Sequence, residues 1–183
     1  MVNKLPEDFT LHRYGIDVRL VNEDDAEFIL SLRTNPQLTR FLHPTDNDLE
    51  KQKEWIRKYK KRESEGTDYY FIYSYKGGEF GLNRIYDIHE KSCTGGSWLC
   101  TPGTNTEHVV ATALISRDIM FEILKLKEDN FDVRKGNHKV LKFHKMMGSV
   151  KTSETELDIL FQSTPETYFP KRNKIIKLLN LEK

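Results

Sequence analysis

The order in which strand-like and helix-like segments follow one another constrains the fold of this 183-residue chain more than any other feature. Residues 15–21 place Ile16, Val18 and Leu20 at alternate positions, which is the period of a half-buried strand. Further strand-like segments are 68–75, 79–88, 95–101, a short one near 129–134 and 149–162; helix-like segments follow Asn22, Pro44, Thr104 and Thr164 and cover 137–147. The order β-α-α-β-β-β-α-β-α-β-α predicts an α/β (α+β) fold in which one mixed sheet carries helices on both faces.

Capping residues mark where the predicted helices begin. Thr45 can cap the second helix, and Thr104 and Glu107 have the spacing of a capping box ahead of the third. Asn137 opens the fourth helix and Gly148 closes it. These signals support the helix order independently of the hydrophobic pattern.

Composition favours one soluble domain over 1–183, with 1–14 as a peripheral N-terminal segment. Hydrophobic residues make up 37% of the chain, which is enough for a single core. Lys and Arg total 29 against 28 Asp and Glu, a net charge of +1. Nucleic-acid-binding proteins usually carry a basic excess, so we expect neither nucleic acid nor membrane as the main partner.

Cysteine and histidine usage argues against a disulfide framework and against a metal site. The two cysteines, Cys93 and Cys100, are too few for the first and lack metal-ligand spacing. Five of the six histidines are too scattered along the chain for a zinc site: His12, His43, His89, His108 and His138. The polar start has no signal-peptide core, and no apolar run approaches the ~20 residues of a membrane span. We therefore expect a cytoplasmic protein that holds no metal.

Several segments resemble the GNAT N-acetyltransferases, and the order of elements does so from about Ile16 to Leu181. The strongest local match is FDVRKGNHKVLKFHKMMG at 131–148, which is similar to that family's last strand-and-helix segment. GEFGLNRIYDI followed by GGSWL looks like the paired central strands of its mostly antiparallel sheet. In the front half, LSLRTNPQLTRFL and KQKEWIRKY resemble a subgroup that acts on amino sugars, sugar nucleotides or protein N-termini.

The resemblance implies transfer of an acyl group from acyl-CoA to a primary amine. Exposed backbone N–H groups of a splayed strand would hold the pantetheine arm and the thioester oxygen. A helix N-terminus would hold the pyrophosphate, and a proton donor would help the thiolate to leave. No Ser-His-Asp or Cys-His arrangement suggests a covalent enzyme intermediate, so direct attack by the amine is expected.

The pyrophosphate loop implied by the resemblance is GTNTEHV, which precedes and opens the third helix. Its members are Gly103, Thr104, Asn105, Thr106, Glu107, His108 and Val109. The family pattern begins with Gln or Arg and has two glycines, whereas this loop has one. The Glu107 carboxylate would repel a phosphate by roughly 4 kcal/mol at ~4 Å and must turn away. A loop that only caps a helix is the alternative.

The proton-transfer group implied by the resemblance is His144. Many family members carry Tyr seven residues after the Asn that opens this helix, and counting seven from Asn137 reaches His144. An imidazole with a pKa near ~6.5 can donate or accept a proton at neutral pH. The alternatives are a packing role for His144 and a capping role for Asn137 instead of a cofactor contact.

The remaining candidates lie on the central strands, around the loop between the first two helices and near the start of the last helix. Backbone groups of Trp98, Leu99 and Cys100 would hold the cofactor, their side chains being core by default. The backbone amides of Leu99, Cys100 and Thr101 would form the oxyanion site. The candidates for acceptor binding are Arg33, Asn35, His43, Tyr86 with Asp87 beside it, and Tyr168. Three of them have a non-functional alternative: Asn35-Pro36 is a helix-ending signal, Arg33 a solvated charge and Tyr168 a core residue.

The sequence thus predicts an acetyl-CoA-dependent N-acetyltransferase whose acceptor is a small amine such as an amino sugar or sugar nucleotide, acting as a monomer or homodimer. A second interpretation is a binding or assembly module that keeps the fold and has lost the cofactor. A third, an RNA-binding protein, depends only on the basic run at 57–62.

Overall fold

A computed structural model describes residues 3–181 as one eight-stranded sheet with five α-helices. The strands are β1 Thr10–Arg13, β2 Ile16–Leu20, β3 Tyr69–Tyr75, β4 Gly78–His89, β5 Ser92–Cys100, β6 Glu128–Arg134, β7 Val150–Glu154 and β8 Asp158–Ser163. The helices are α1 Ala26–Arg33, α2 Leu49–Glu65, α3 Thr106–Asp118, α4 His138–Met146 and α5 Pro165–Leu178. This arrangement confirms the predicted fold class.

The sheet runs β1-β2-β3-β4-β5-β6-β8-β7, and its neighbours are antiparallel except β5 and β6. This parallel pair is joined only at Ser92–Glu128 and Cys93–Asp129. Beyond these residues both strands continue, to Cys100 and Arg134, without pairing with each other. The sheet therefore opens between the C-terminal parts of β5 and β6, and we call this opening the wedge.

A β-bulge in β5 accompanies the wedge. Leu82 pairs with Leu99 and Arg84 with Gly96, so Ser97 and Trp98 together face the single residue between them on β4. Ser97 has a φ of 49°, in the left-handed region. A bulge of this kind bends its strand and increases the local twist, which turns the end of β5 away from β6.

The two faces of the sheet bury separate hydrophobic clusters. Along β3 the side chains of Phe71 and Tyr73 pack with α3 and α5, whereas Tyr70 and Ile72 pack with α1 and α2. This alternation is the period of two expected of a strand buried on both faces. A smaller cluster joins α4 to β6 and β8. No helix within 3–181 has the length and apolar character needed to cross a bilayer.

Two predicted helix starts are wrong by a few residues. Helix α2 begins at Leu49 with Asp48 as its cap, while the hydroxyl of Thr45 accepts a hydrogen bond from Arg33. Helix α3 begins at Thr106 with Asn105 as its cap. In both places a second polar residue closer to the helix supplies the capping oxygen.

Two strands differ from the sequence prediction. Residues 10–13, within the segment expected to be peripheral, form the edge strand β1. The single strand expected at 149–162 is a hairpin, β7 and β8, closed where the Thr155 hydroxyl accepts from the amides of Leu157 and Asp158. Thr155 makes an ST-turn there, which a hydrophobic pattern does not register.

Candidate functional site

The wedge leaves one edge of β5 free of backbone partners on the β6 side. The Thr101 amide donates to the Phe80 carbonyl, 2.7 Å away, so it faces β4. Because backbone groups alternate in direction along an antiparallel strand, the Cys100 N–H faces the wedge instead. Thr101 is thereby excluded as an amide donor to the thioester, and within the predicted oxyanion site the free amide is that of Cys100.

The side chains of the predicted β5 site residues pack inside the protein. The Leu99 side chain is buried on the face of the sheet that α1 and α2 cover. The Cys100 thiol lies 3.9 Å from the Thr112 hydroxyl, and burial raises its pKa to about 11. A thiol with this pKa stays protonated at neutral pH, so Cys100 contributes backbone groups and packing, not a nucleophile.

The N-terminus of α3 lies at the wide end of the wedge, because β5 leads into it through residues 101–105. Gly103, Asn105, Thr106 and Glu107 are all exposed there, so no other part of the described chain covers the helix start. Gly103 has a φ of 88°, and a Cβ added to it would meet no atom within 4 Å. The first turn of α3 is therefore open to an anion.

Some of the predicted phosphate-binding amides in this loop already have partners. The Asn105 side-chain oxygen accepts from the Glu107 amide at 2.8 Å, and the Asn105 carbonyl accepts from the Val109 amide. Thr104 does not form the predicted capping box, since its hydroxyl donates to the Thr101 carbonyl at 2.6 Å. The His108 ring packs 4.3 Å from the Tyr75 ring, so its side chain turns away from the loop.

His144 lies on α4 below the wedge, enclosed by aromatic rings. Its ring centroid is 4.5 Å from that of Phe131 on β6 and 6.2 Å from that of Trp98 on β5. The residue is 9% exposed. Burial, with the Arg117 charge adding to it, lowers the pKa of His144 to about 2. With this pKa the imidazole is neutral near pH 7, which argues against the proton exchange expected of His144.

Sequence reasoning missed two charged residues near His144: Arg117, which contacts the imidazole, and Asp129, which contacts Arg117. Arg117 on α3 places a guanidinium nitrogen 3.2 Å from His144 Nδ1, and the same nitrogen is 3.4 Å from the Asp129 carboxylate. Asp129 also accepts the Gly95 amide at 2.9 Å, directly after the last β5–β6 pair. A signal for Arg117 was present, since Arg117 and Asp118 are two consecutive charges shortly after the mostly apolar run 109–115.

Asn137 serves as the cap of α4. Its side-chain oxygen accepts from the Val140 amide at 3.4 Å. Of the two roles considered for Asn137, helix cap and cofactor contact, the structure shows the cap. A cofactor contact would have to use what remains of its hydrogen-bonding capacity.

A cleft of about 340 Å³ lies over the start of the wedge. Its lining comes from four neighbouring strands and the β7 edge: Tyr86, Asp87, Thr94, Asn130, Phe131, Asp132, Thr152, Leu160 and Phe161. Alternation along β6 directs Asn130 and Asp132 to the cleft, while the ring of Phe131 reaches His144. The cleft and His144 therefore approach the wedge from opposite faces of the sheet.

Tyr86 is held as one wall of this cleft. The Arg84 guanidinium stacks 4.5 Å from its ring centroid, and a Cβ on Gly96 would come within 2.9 Å of the ring. Burial and the nearby Asp132 carboxylate raise the pKa of Tyr86, so its phenol stays protonated and can donate a hydrogen bond. The structure thus brings the predicted Tyr86 and Asp87 together with an unpredicted carboxylate.

The other predicted acceptor residues do not line this cleft. Arg33 donates to Thr45 at 2.9 Å, and the Asn35 side chain accepts from the Gln37 amide in a local turn. His43 is exposed on the same α1–α2 loop. Phe41 of that loop approaches Gly136, where a Cβ would meet its ring at 3.2 Å. The loop therefore reaches the β6–α4 connection without contributing the three predicted side chains.

Tyr168 is a core residue, which corrects its assignment to the acceptor pocket. It is 0% exposed, and its hydroxyl lies 2.9 Å from both the Leu114 carbonyl and the Asp118 carboxylate. The ring packs against Phe121 and Phe169 between α3 and α5. From the sequence alone, a tyrosine near the start of a helix could face the core or a surface pocket. The hydrogen bond to the buried Asp118 carboxylate places Tyr168 in the core.

Comparison with known proteins places this geometry among acetyltransferases. Residues 16–150 match the acetyltransferase (GNAT) domain family. A solved structure described as an apo form of FdhC, a nucleotide-linked sugar GNAT, is similar with a TM-score of 0.84 and 37% identity, covering 96% of this chain and 99% of that one. A search of curated proteins finds no match.

More distant structures share the fold alone. Spermidine N-acetyltransferase from Vibrio cholerae, solved with CoA and spermine, has a TM-score of 0.71 at 19% identity and covers 84% of this chain and 98% of its own. RimJ from Mycobacterium smegmatis, solved with CoA-disulfide, has a TM-score of 0.76 at 14% identity and covers 94% of each chain.

Proposed function

The chain belongs to the GNAT acetyltransferase family, and from this premise we propose that it transfers an acetyl group from acetyl-CoA to the primary amine of an amino sugar carried on a nucleotide. The observation that carries the proposal is the wedge, whose unpaired β5 edge leads to the exposed start of α3. The acceptor class draws support from the 37% identical structure whose description names a nucleotide-linked sugar.

The residues at the start of α3 fit a diphosphate in their exposure and their free volume. Gly103 leaves open space beside the backbone, and the helix dipole favours an anion at Thr106. The Glu107 side chain is exposed and can turn to solvent. The pantetheine arm would lie along the wedge, with the Cys100 amide as the donor to the thioester oxygen.

The cleft supplies the acceptor site in this proposal. Asp132 and Asp87 offer carboxylates that attract an ammonium group, and Thr94 and Asn130 offer hydroxyl and amide groups suited to sugar hydroxyls. The amine must lose a proton before it attacks, and a carboxylate open to water can accept one. Attack through the wedge forms the C–N bond and expels the CoA thiolate with no enzyme-bound intermediate.

Binding of acetyl-CoA at α3 is tested by Thr106→Glu, measured by calorimetric titration. An acid in the first helical turn suits the helix dipole, so thermal stability should hold or rise. The same charge repels a diphosphate, so acetyl-CoA affinity should fall about tenfold or more, ~1.4 kcal/mol. Ser31→Glu, on an exposed position of α1 across the sheet, is the matched control and should change neither.

Unchanged affinity in Thr106→Glu would place the cofactor elsewhere. Failure of the unaltered protein to bind acetyl-CoA at all would favour the alternative function, a binding or assembly module. The observation behind that alternative is the Asn105 side chain, which already occupies the Glu107 amide that a phosphate would use.

The acceptor is tested by a transfer assay on a panel of amines: a nucleotide-linked amino sugar, the free amino sugar, spermidine and a peptide with a free N-terminus. We expect the highest kcat/KM on the nucleotide-linked sugar. Asp132→Asn should lower kcat/KM for that amine at least about tenfold with acetyl-CoA affinity unchanged. Asp17→Asn, on β2 away from the cleft, is the control. Equal loss in both variants would remove Asp132 from the acceptor site.

A further inference from the structure

The Arg117–His144 contact determines which imidazole nitrogen carries the proton. A guanidinium has N–H donors and no acceptor, so a hydrogen bond between Arg117 and His144 Nδ1 requires Nδ1 to accept. A neutral imidazole has one protonated nitrogen, and here that nitrogen must be Nε2. Within 3–181, Nε2 makes no hydrogen bond of its own.

Charge around the ring supports the same protonation state. The charged group that faces His144 is Arg117 on α3, and Asp129 on β6 reaches it only through Arg117. The neighbours from β5, β8 and α4 itself are aromatic, namely Trp98, Phe161 and Phe143. A positive guanidinium in an apolar enclosure opposes a second positive charge, so the imidazole stays neutral.

Arg117 is itself held in place by a partner at the apex of the wedge. Its nitrogen lies 3.4 Å from the Asp129 carboxylate, and both residues are buried. Asp129 also takes the Gly95 amide, which has no partner on the β6 backbone. The carboxylate that ends the β5–β6 ladder thus also positions the guanidinium that orients His144.

We propose that Arg117 is a positioning residue that holds His144 as a fixed hydrogen-bond donor through Nε2, aimed at the sulfur of the leaving thiolate. This inference rests on the proposed acetyl transfer. In the step, the C–N bond forms while the C–S bond breaks, and the amine proton passes to the cleft carboxylate or water. The thiolate takes its proton from solvent, and His144 keeps its own.

The tautomer is tested directly by histidine-selective nitrogen NMR on the full chain without ligand, with the His144 signal identified by its loss in His144→Gln. The expected spectrum at neutral pH is a neutral ring protonated at Nε2. A ring protonated at Nδ1, or a charged ring, overturns the proposal. This measurement does not depend on any acceptor, so a protein that acetylates none of the amines offered would defeat the proposed function and leave the tautomer assignment standing.

The positioning role is tested by Arg117→Met, with Arg57→Met on the exposed face of α2 as the control. We expect a mixture of His144 tautomers and a fall in kcat of about 10- to 100-fold, with KM for acetyl-CoA little changed. Arg117→Met leaves Asp129 without its counter-charge, so Arg117→Met with Asp129→Asn is a second, charge-balanced variant. Retention of both the wild-type tautomer and the wild-type kcat in a folded variant would overturn the assignment.

Discussion

Arg117 and Asp118 are consecutive on α3, and both are almost fully buried, at 4% and 0% exposure. They point into different parts of the molecule. Asp118 faces β1 and α5, and Arg117 faces the wedge and α4. Neighbouring residues of the same helix thus anchor two buried polar clusters whose hydrogen bonding differs.

The Asp118 cluster is saturated. Its two carboxylate oxygens accept from four donors, Arg13, Tyr14, Tyr168 and Arg172, at distances of 2.6 to 2.9 Å. Both arginines also bond Glu122. The two arginines balance the charges of Asp118 and Glu122, and both Asp118 oxygens are fully hydrogen-bonded. This cluster therefore ties β1, α3 and α5 together and leaves Asp118 no acceptor for a ligand.

The Arg117 cluster is under-bonded. Its contacts to His144 and Asp129 are 3.2 and 3.4 Å, and Arg117 Nε is buried without a partner. Burial raises the pKa of Asp129 in spite of the arginine. A buried polar cluster that is incompletely bonded costs stability, and such sites are concentrated where a ligand completes them. From this comparison we expect the Asp118 cluster to stabilise the fold and the Arg117 cluster to take part in the proposed function.

The largest expected effect is on stability, from Asp118→Asn. The amide replaces one oxygen by an NH₂ group that faces donors, so buried charges lose their acceptor and unfolding free energy should fall by about 3–5 kcal/mol. The charge-balanced pair Arg117→Met with Asp129→Asn keeps an oxygen for the Gly95 amide and leaves neither buried charge without its partner. Its loss in urea unfolding should be less than half as large; equal losses would contradict the distinction between the clusters.

The next effect is a pH dependence that belongs to the Arg117 cluster. His144 binds a proton below a pKa of ~6.5 when unfolded and only near about 2 when folded. The unfolded state therefore gains protons first as pH falls, and stability decreases from pH 6.5 downwards by up to ~1.4 kcal/mol per unit. Between pH 6.5 and pH 5 the loss is about 1.6 kcal/mol, because the unfolded imidazole is only half protonated at pH 6.5.

His144→Gln is the matched control for this dependence, since it removes the titrating ring and leaves the other groups in place. The unfolding free energy of the unaltered protein minus that of the variant should shrink as pH falls through this range. If this difference in unfolding free energy stays constant with pH, His144 has the same pKa in the folded and unfolded states. That result would contradict its assignment as a neutral hydrogen-bond donor.

Local patterns in the sequence predicted the element order and the fold class, because hydrophobic period and helix caps are short-range signals. They missed β1, an edge strand of four residues, and the Thr155 turn that divides β7 from β8. Strand β1 is short, carries no buried residue and pairs with the next strand across Tyr14 and Gly15, and the Thr155 turn depends on side-chain hydrogen bonds. Neither is visible as periodicity.

The candidate site was predicted less completely. The loop at 103–109 and His144 follow from the family resemblance together with their position relative to the predicted elements, and both lie beside the wedge. The contact of Arg117 with His144 spans 27 residues and that of Gly95 with Asp129 spans 34, and both depend on how α3, α4 and β6 pack. The neutral state of His144 is a consequence of that packing, so its residue type alone suggested a proton exchange that the structure argues against.

The smallest expected effect concerns Tyr168, which the sequence allowed in the acceptor pocket and the structure places in the saturated cluster. Tyr168→Phe removes one of four donors to Asp118 and keeps the ring packing, so unfolding free energy should fall by about 1 kcal/mol. Tyr69→Phe, which loses a single bond to the Leu5 amide, is the matched control. Because the Tyr168 hydroxyl reaches α3 from the side away from the cleft, KM for the amine and affinity for acetyl-CoA should stay unchanged. A rise in KM for the amine with normal stability would return Tyr168 to the acceptor site and would mean that the two clusters are not functionally separate.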